Sequence, residues 1–217
     1  MITRRPIICS ILSALLIASC SVLFSDRPQR VVRIKALADV AFRARNARWA
    51  DEARGLIEAA SDYYEREFAI RFVTQSVSAW QENERVPSTP TLLSRLQKEF
   101  PVRSQDGSYD VIVAFSGESV NRILTAGRPR VDRIGNCGQG LGNYVVVPIS
   151  NIFHYRGPNA EAEIDLIALI HEFGHIFGAE HVEDTQSLMH EQFGFRTEFD
   201  AKNRAVIQKN STCPFAK

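Results

Sequence analysis

Residues 171 to 181 read H-E-F-G-H-I-F-G-A-E-H, and no other stretch constrains the fold as tightly. His171 and His175 are one helical turn apart, so on a helix both imidazoles project from one face and can reach a single ion. Glu172 lies one position on, able to touch a water on that ion without being a ligand itself. Gly178 can take the positive φ that ends a helix and turns the chain sharply, which brings His181 round as a third ligand. Three neutral nitrogens leave Zn²⁺ its full charge and a fourth position open for water, whose pKa the metal lowers to about 7. Five fixed positions of this kind arise by chance in such a chain with a probability of roughly 10⁻⁵. One catalytic zinc ion held by His171, His175 and His181, with Glu172 as base, is the expectation.

The helix that must carry the motif is predicted over Glu161 to Phe177. Ile164, Ile167, Ala168, Leu169 and Ile170 make it apolar over much of its surface, as in a buried helix. Upstream, Val31 to Leu37 can form a strand. Asn46 to Phe68 reads as a helix with Trp49, Ala53, Leu56, Ala60 and Tyr64 on one face. Ala69 to Trp80, rich in β-branched and aromatic residues, is a second strand. Pro87 and Pro90 interrupt the chain, and Ser88 or Thr89 can cap a helix running to about Phe100. Tyr109 to Phe115 is a nearly continuous apolar run, suited to a central strand. Val131 to Cys137 and Asn143 to Ile149 are further strand candidates around a turn holding Gly138, Gly140 and Gly142. A last helix is expected from Glu198 to Lys209, with Thr197 or Asp200 near its start. This alternation indicates one α/β domain.

The amino terminus reads as a targeting segment. Arg4 and Arg5 precede an apolar stretch from Ile7 to Ala18, too short to span a bilayer comfortably and suited to a signal peptide. Ile17-Ala18-Ser19-Cys20 resembles the lipobox of bacterial lipoproteins, which implies cleavage before Cys20 and lipid on that residue. Residues 1–19 thus read as a lipoprotein signal peptide, 20–30 as a polar tether and 31–217 as the domain that carries the zinc motif. The expected location is outside the cytoplasm, anchored through lipid to a bacterial membrane. Ser21 in place of Asp points to the outer membrane, facing the periplasm or the surface. In that oxidising setting the two remaining cysteines, Cys137 and Cys213, are expected to form a disulfide. Bulk charge points to no nucleic-acid partner: the net charge is +1, from 26 basic and 25 acidic residues.

The extended motif resembles that of the metzincin clan of zinc peptidases, whose members also place a methionine in a tight turn beneath the metal. Ser187-Leu188-Met189-His190 follows His181 at the distance of such a Met-turn. Outside the motif, the element order and the Tyr109–Val113 strand resemble the reprolysin and matrixin-like branches. The resemblance implies a metzincin-like catalytic domain, α/β (α+β), with a twisted mixed sheet, active-site helix, Met-turn and C-terminal helix. It also implies a protein or peptide substrate, bound as an extended strand along the edge of the Val131–Cys137 segment. Glu172 would take a proton from the attacking water and deliver it to the leaving nitrogen. Three departures leave the branch open. Val182 follows the third histidine where reprolysins carry Asp, Glu191 stands where astacins and serralysins place a tyrosine, and the cysteine-rich zinc pattern of archaemetzincins is absent.

His154 and His190 lie outside the motif. His154, before a loop with Gly157 and Pro158, reads as a solvated surface residue, and His190 has no spacing that points to ligation. The reading is therefore a zinc endopeptidase. Its alternatives are a zinc-containing lipoprotein that binds peptides or a partner without activity, and a zinc hydrolase of non-protein amides. Intact Glu172 favours an enzyme. The targeting segment generates a direct prediction: Cys20→Ala should move the protein from the membrane fraction to the soluble one. A wild-type protein already soluble, with another first residue, would contradict it.

Overall fold

A computed structural model describes residues 30–45, 47–81, 88–102, 107–117, 130–149, 164–192 and 196–216. Cys20, His154 and the expected start of the motif helix at Glu161 lie outside these residues. Strand β1 (Arg30–Ala38) leads through a short helix α1 (Val40–Arg45) to the long helix α2 (Trp49–Phe68). Strand β2 (Ile70–Ala79), helix α3 (Thr89–Glu99) and strand β3 (Val111–Ser116) follow. The two-residue strand β4 (Arg130–Val131), strand β5 (Tyr144–Pro148) and helices α4 (Ile164–Ile176) and α5 (Ala201–Asn210) complete the order. No helix among the described residues is long and apolar enough to cross a membrane.

The five strands form one mixed sheet in the order β2-β1-β3-β5-β4, parallel except for the antiparallel β4–β5 pair. β3 and β5 are buried along their whole length, which explains their near-continuous apolar sequences: helices cover both faces of these strands. Alternation sorts their side chains. Val111, Val113, Phe115, Val145 and Val147 join the core beneath α2 and α4. Ile112, Ala114, Tyr144 and Val146 join a smaller cluster with Trp80 and Leu92, Leu93 and Leu96 of α3.

Two expectations need correction. The predicted strand Val131–Cys137 pairs with β5 only at Val131, with Arg130 before it, and Asn136 makes no more than an isolated bridge to Gly140. Its continuation is cut short because the Asp132 carboxylate accepts from the backbone N–H groups of Asn143 and Tyr144, at 2.9 and 3.0 Å. Gly135 N then turns away to donate to the carbonyl of His175, at 2.9 Å. The helix predicted from Asn46 starts at Trp49 instead, and α1 precedes it. Asp39 creates α1: its buried carboxylate caps Phe42 N and also takes Gly117 N and the Ser116 hydroxyl, fastening the ends of β1 and β3 together. Ser88 rather than Thr89 caps α3, and Asp200 rather than Thr197 caps α5.

Helix α4 is held from below by an aromatic cluster. Tyr64 of α2 is fully buried, contacts Phe68, Phe72, Phe173, Phe177 and Phe199, and donates its hydroxyl to the Ile170 carbonyl at 2.8 Å. Burial pushes its pKa well above the ordinary value, so the donor is permanent. As expected, Cys137 and Cys213 are bonded, with Cα atoms 5.0 Å apart and a separation of 76 positions in sequence. In the chain-entropy picture such a link is worth on the order of 4 kcal/mol.

Arg33 of β1 and Asp110, just before β3, form an ion pair that ties the two strands together. The guanidinium donates at 2.8 and 3.1 Å, and Arg33 N adds a third bond at 2.9 Å. Partial burial raises the Asp110 pKa, but the bonds and charge of Arg33 outweigh it and hold the carboxyl below its ordinary 3.8. A carboxyl depressed in the folded state stabilises above its unfolded pKa and loses that contribution as pH falls through the folded one. Asp110→Asn should therefore cost about 1 kcal/mol at pH 7 and flatten the stability-versus-pH curve below about pH 4. Denaturant melts of both proteins between pH 2 and 7 check it.

Candidate metal centre

Helix α4 places His171 and His175 on one face, with their Nε2 atoms 3.1 Å apart. Each ring is oriented by a backbone carbonyl: His171 Nδ1 lies 2.7 Å from Leu188 O and His175 Nδ1 2.7 Å from Ala179 O. A carbonyl only accepts, so each Nδ1 carries the proton and each Nε2 turns a lone pair inward. The helix ends in a Schellman motif. Gly178 N donates to His175 O and Ala179 N to Gly174 O, with Gly178 at φ +96°. A Cβ on Gly178 would also lie 2.4 Å from the carbonyl of Gly135, so glycine is required here twice over.

That reversal brings His181 back over the helix, its Nε2 3.2 Å from both other Nε2 atoms. The three nitrogens form a nearly equilateral triangle. Ligands at the usual 2.0–2.1 Å from one tetrahedral zinc lie about 3.3 Å from one another, so the donor set fits a single ion of that kind. His171 and His175 are buried and His181 is exposed, which leaves the open side of the site facing out. Burial lowers the His171 pKa to about 3, helped by the neighbouring His175, and lowers that of His175 to about 4. Both rings are therefore neutral and able to bind metal throughout the physiological range.

Glu172 is 3% exposed, on the same turn of α4 as the two buried histidines. Burial raises its pKa to about 8, against the opposing pull of the Arg130 charge on β4. Met189 is fully buried under α4, and a Cβ on Gly174 would approach its sulfur to 3.0 Å and the Phe199 ring to 2.9 Å. The glycine between the two histidines is thus the room into which the methionine and Phe199 fit. The segment around Met189 is tied to the third histidine by Val182 N donating to Met189 O at 3.2 Å.

The structure brings together His171, His175, His181, Glu172 and Met189 but leaves His190 apart, half-exposed and bonded to Gln192 N at 3.1 Å. Sequence reasoning missed the two carbonyls that orient the buried rings and the α5 residues that lie behind the site. Backbone acceptors carry no side-chain signature, and α5 is distant in sequence. Only the capping residue Asp200 was visible, and only as a helix start.

Three comparisons bear on identity. Residues 28–217 match a reprolysin-type family model described as metallo-peptidase family M12. Among solved structures, the chain is similar to archaemetzincin from Methanopyrus kandleri, with a TM-score of 0.58 and 17% identity over 86% of this chain and 98% of that one. At that identity the likeness is one of fold. No curated protein matches the chain. The family and the three-histidine cluster together imply a metal.

The donor set makes a prediction about stability. Zinc added to chelator-stripped protein should stabilise it by about 2.7 kcal/mol when free zinc is 100 times Kd, read as a rise in melting temperature. His175→Ala should abolish most of that rise. An equal rise in both proteins would place the metal elsewhere.

Proposed function

The chain belongs to metallo-peptidase family M12, and on that premise we propose that it is an exported zinc endopeptidase with Glu172 as its general base. The observation that carries this reading is the convergence of three histidine Nε2 atoms within 3.1–3.2 Å, one residue from a buried carboxyl. His171, His175 and His181 would hold one zinc ion. The ion, when bound, supplies Lewis acidity that lowers the pKa of water and polarises the scissile carbonyl.

The rest is done by the chain itself. Neutral His171 and His175, fixed by Leu188 O and Ala179 O, add no charge to the site and cannot swing away from it. The Glu172 carboxylate takes a proton from the attacking water and gives it to the leaving nitrogen as the C–N bond breaks. A single group serves both transfers best when its pKa lies near the working pH, and burial of Glu172 moves it in that direction. Arg130 and Val131 form the outer edge of the sheet, antiparallel to β5. Among the described residues no further strand pairs with the other side of β4, and that side suits an extended peptide laid down as a strand, which supports a protein or peptide substrate. The signal-like segment ending at Cys20 supports a lipid anchor at a bacterial membrane, and with it a substrate met outside the cytoplasm.

Zinc content and peptide cleavage measured on the same preparations test this function. Glu172→Ala removes no ligand, so about one equivalent of zinc should remain while hydrolysis falls 10²–10⁴-fold. Cleavage at the wild-type rate by zinc-loaded Glu172→Ala protein would overturn the assignment of the base.

A further inference from the structure

Behind the metal centre, at the first turn of α5, Asp200 and Asn203 make more hydrogen bonds than a helix start requires. An N-capping aspartate needs one oxygen for one backbone N–H, and Asp200 Oδ1 does this, accepting from Asn203 N at 3.0 Å. Its second oxygen accepts two further bonds, from Asn203 Nδ2 at 2.8 Å and from the Ser187 hydroxyl at 2.7 Å. Asn203 is 1% exposed. Its side-chain amide brackets one residue: Oδ1 accepts from Glu180 N and Nδ2 donates to Glu180 O, both at 2.9 Å. The orientation of that amide is fixed, because a flipped group would set its oxygen against a carboxylate and a carbonyl.

Both ends of this node reach the histidines. Glu180 immediately precedes His181, and pinning its N–H and its C=O together fixes the direction in which the chain enters the third ligand. Ser187 Oγ, besides donating to Asp200, accepts from Met189 N at 3.0 Å and so shapes the turn that presents Leu188 O to His171. Val182, next to His181, brings only an apolar side chain to this junction. We propose that Asp200 and Asn203 are positioning residues of the metal centre, one carboxylate–amide pair holding the His181 turn and the Met189 turn in register. This inference rests on the zinc reading of the three histidines.

Asp200→Ser separates positioning from capping. Serine still caps α5 but has no second oxygen for Asn203 and Ser187. In full-length protein, competition with a chelator of known affinity should show zinc binding weakened by about 10–100-fold, the usual effect of removing an outer-shell partner. The melting temperature of the metal-stripped variant should stay close to that of the stripped wild type. Ser187→Ala should weaken zinc binding less, Ser187→Thr should restore it, and Ser187→Ala should cost less in the Asp200→Ser background than alone, since the Ser187–Asp200 bond is already gone there and only the bond from Met189 N remains to be lost. If Asp200→Ser and wild type bind zinc equally, or if the variant loses only the melting temperature of the stripped protein, the pair is structural and the inference falls. A wild-type protein that binds no zinc would instead overturn the zinc reading itself.

Discussion

A helix can present two histidines to one ion, but a third nitrogen must arrive from a reversal of the chain, and that reversal dominates the structure. Gly178 makes the turn at φ +96°, pressed so closely against the Gly135 carbonyl that no side chain fits. Each carbonyl at the end of α4 then accepts a hydrogen bond from its surroundings. Gly135 N donates to His175 O, Gly142 N to Ile176 O and the Asn210 side-chain amide to Phe177 O. A helix end buried without such partners would be costly. The loop from Asp132 to Gly142, α5 and the disulfide joining that loop to Cys213 are therefore best understood as the housing of one turn.

The same helix resolves a conflict between burial and polarity. Two histidines and a glutamate sit in a core of Phe173, Phe177 and Ile176 where charge is disfavoured. Burial serves the chemistry at all three. It keeps the histidines neutral, as metal ligands must be, and it raises the carboxyl in the direction that the proposed role as base requires. The methionine beneath completes the packing without adding a group that needs a partner. Its polarisable, flexible side chain suits the narrow space opened by Gly174.

How much of this the sequence could reveal depends on how local each signal is. The motif was readable because helix period and glycine geometry act within eleven residues, and β3 and β5 because burial on both faces leaves an unbroken apolar run. β4 was overestimated: the residues after Val131 have strand-like composition, but the Asp132 side chain takes the hydrogen bonds that a longer ladder would need. Helix α1 was missed because six residues are too few for a helical period to show, and because Ser116 and Gly117, the groups that fix its capping Asp39, lie 77 and 78 residues away in sequence. Asn203 was missed for the same reason, since nothing in its neighbourhood points to Glu180, 23 residues earlier.

The central claim is that this centre hydrolyses internal peptide bonds. A diverse peptide library digested with wild-type protein, with chelator-stripped protein and with stripped protein reloaded with zinc tests it most directly, with new termini read by mass spectrometry. New internal termini should form with the first sample, be lost with the second and return with the third. A reloaded protein that holds one equivalent of zinc yet generates no new termini would contradict the account.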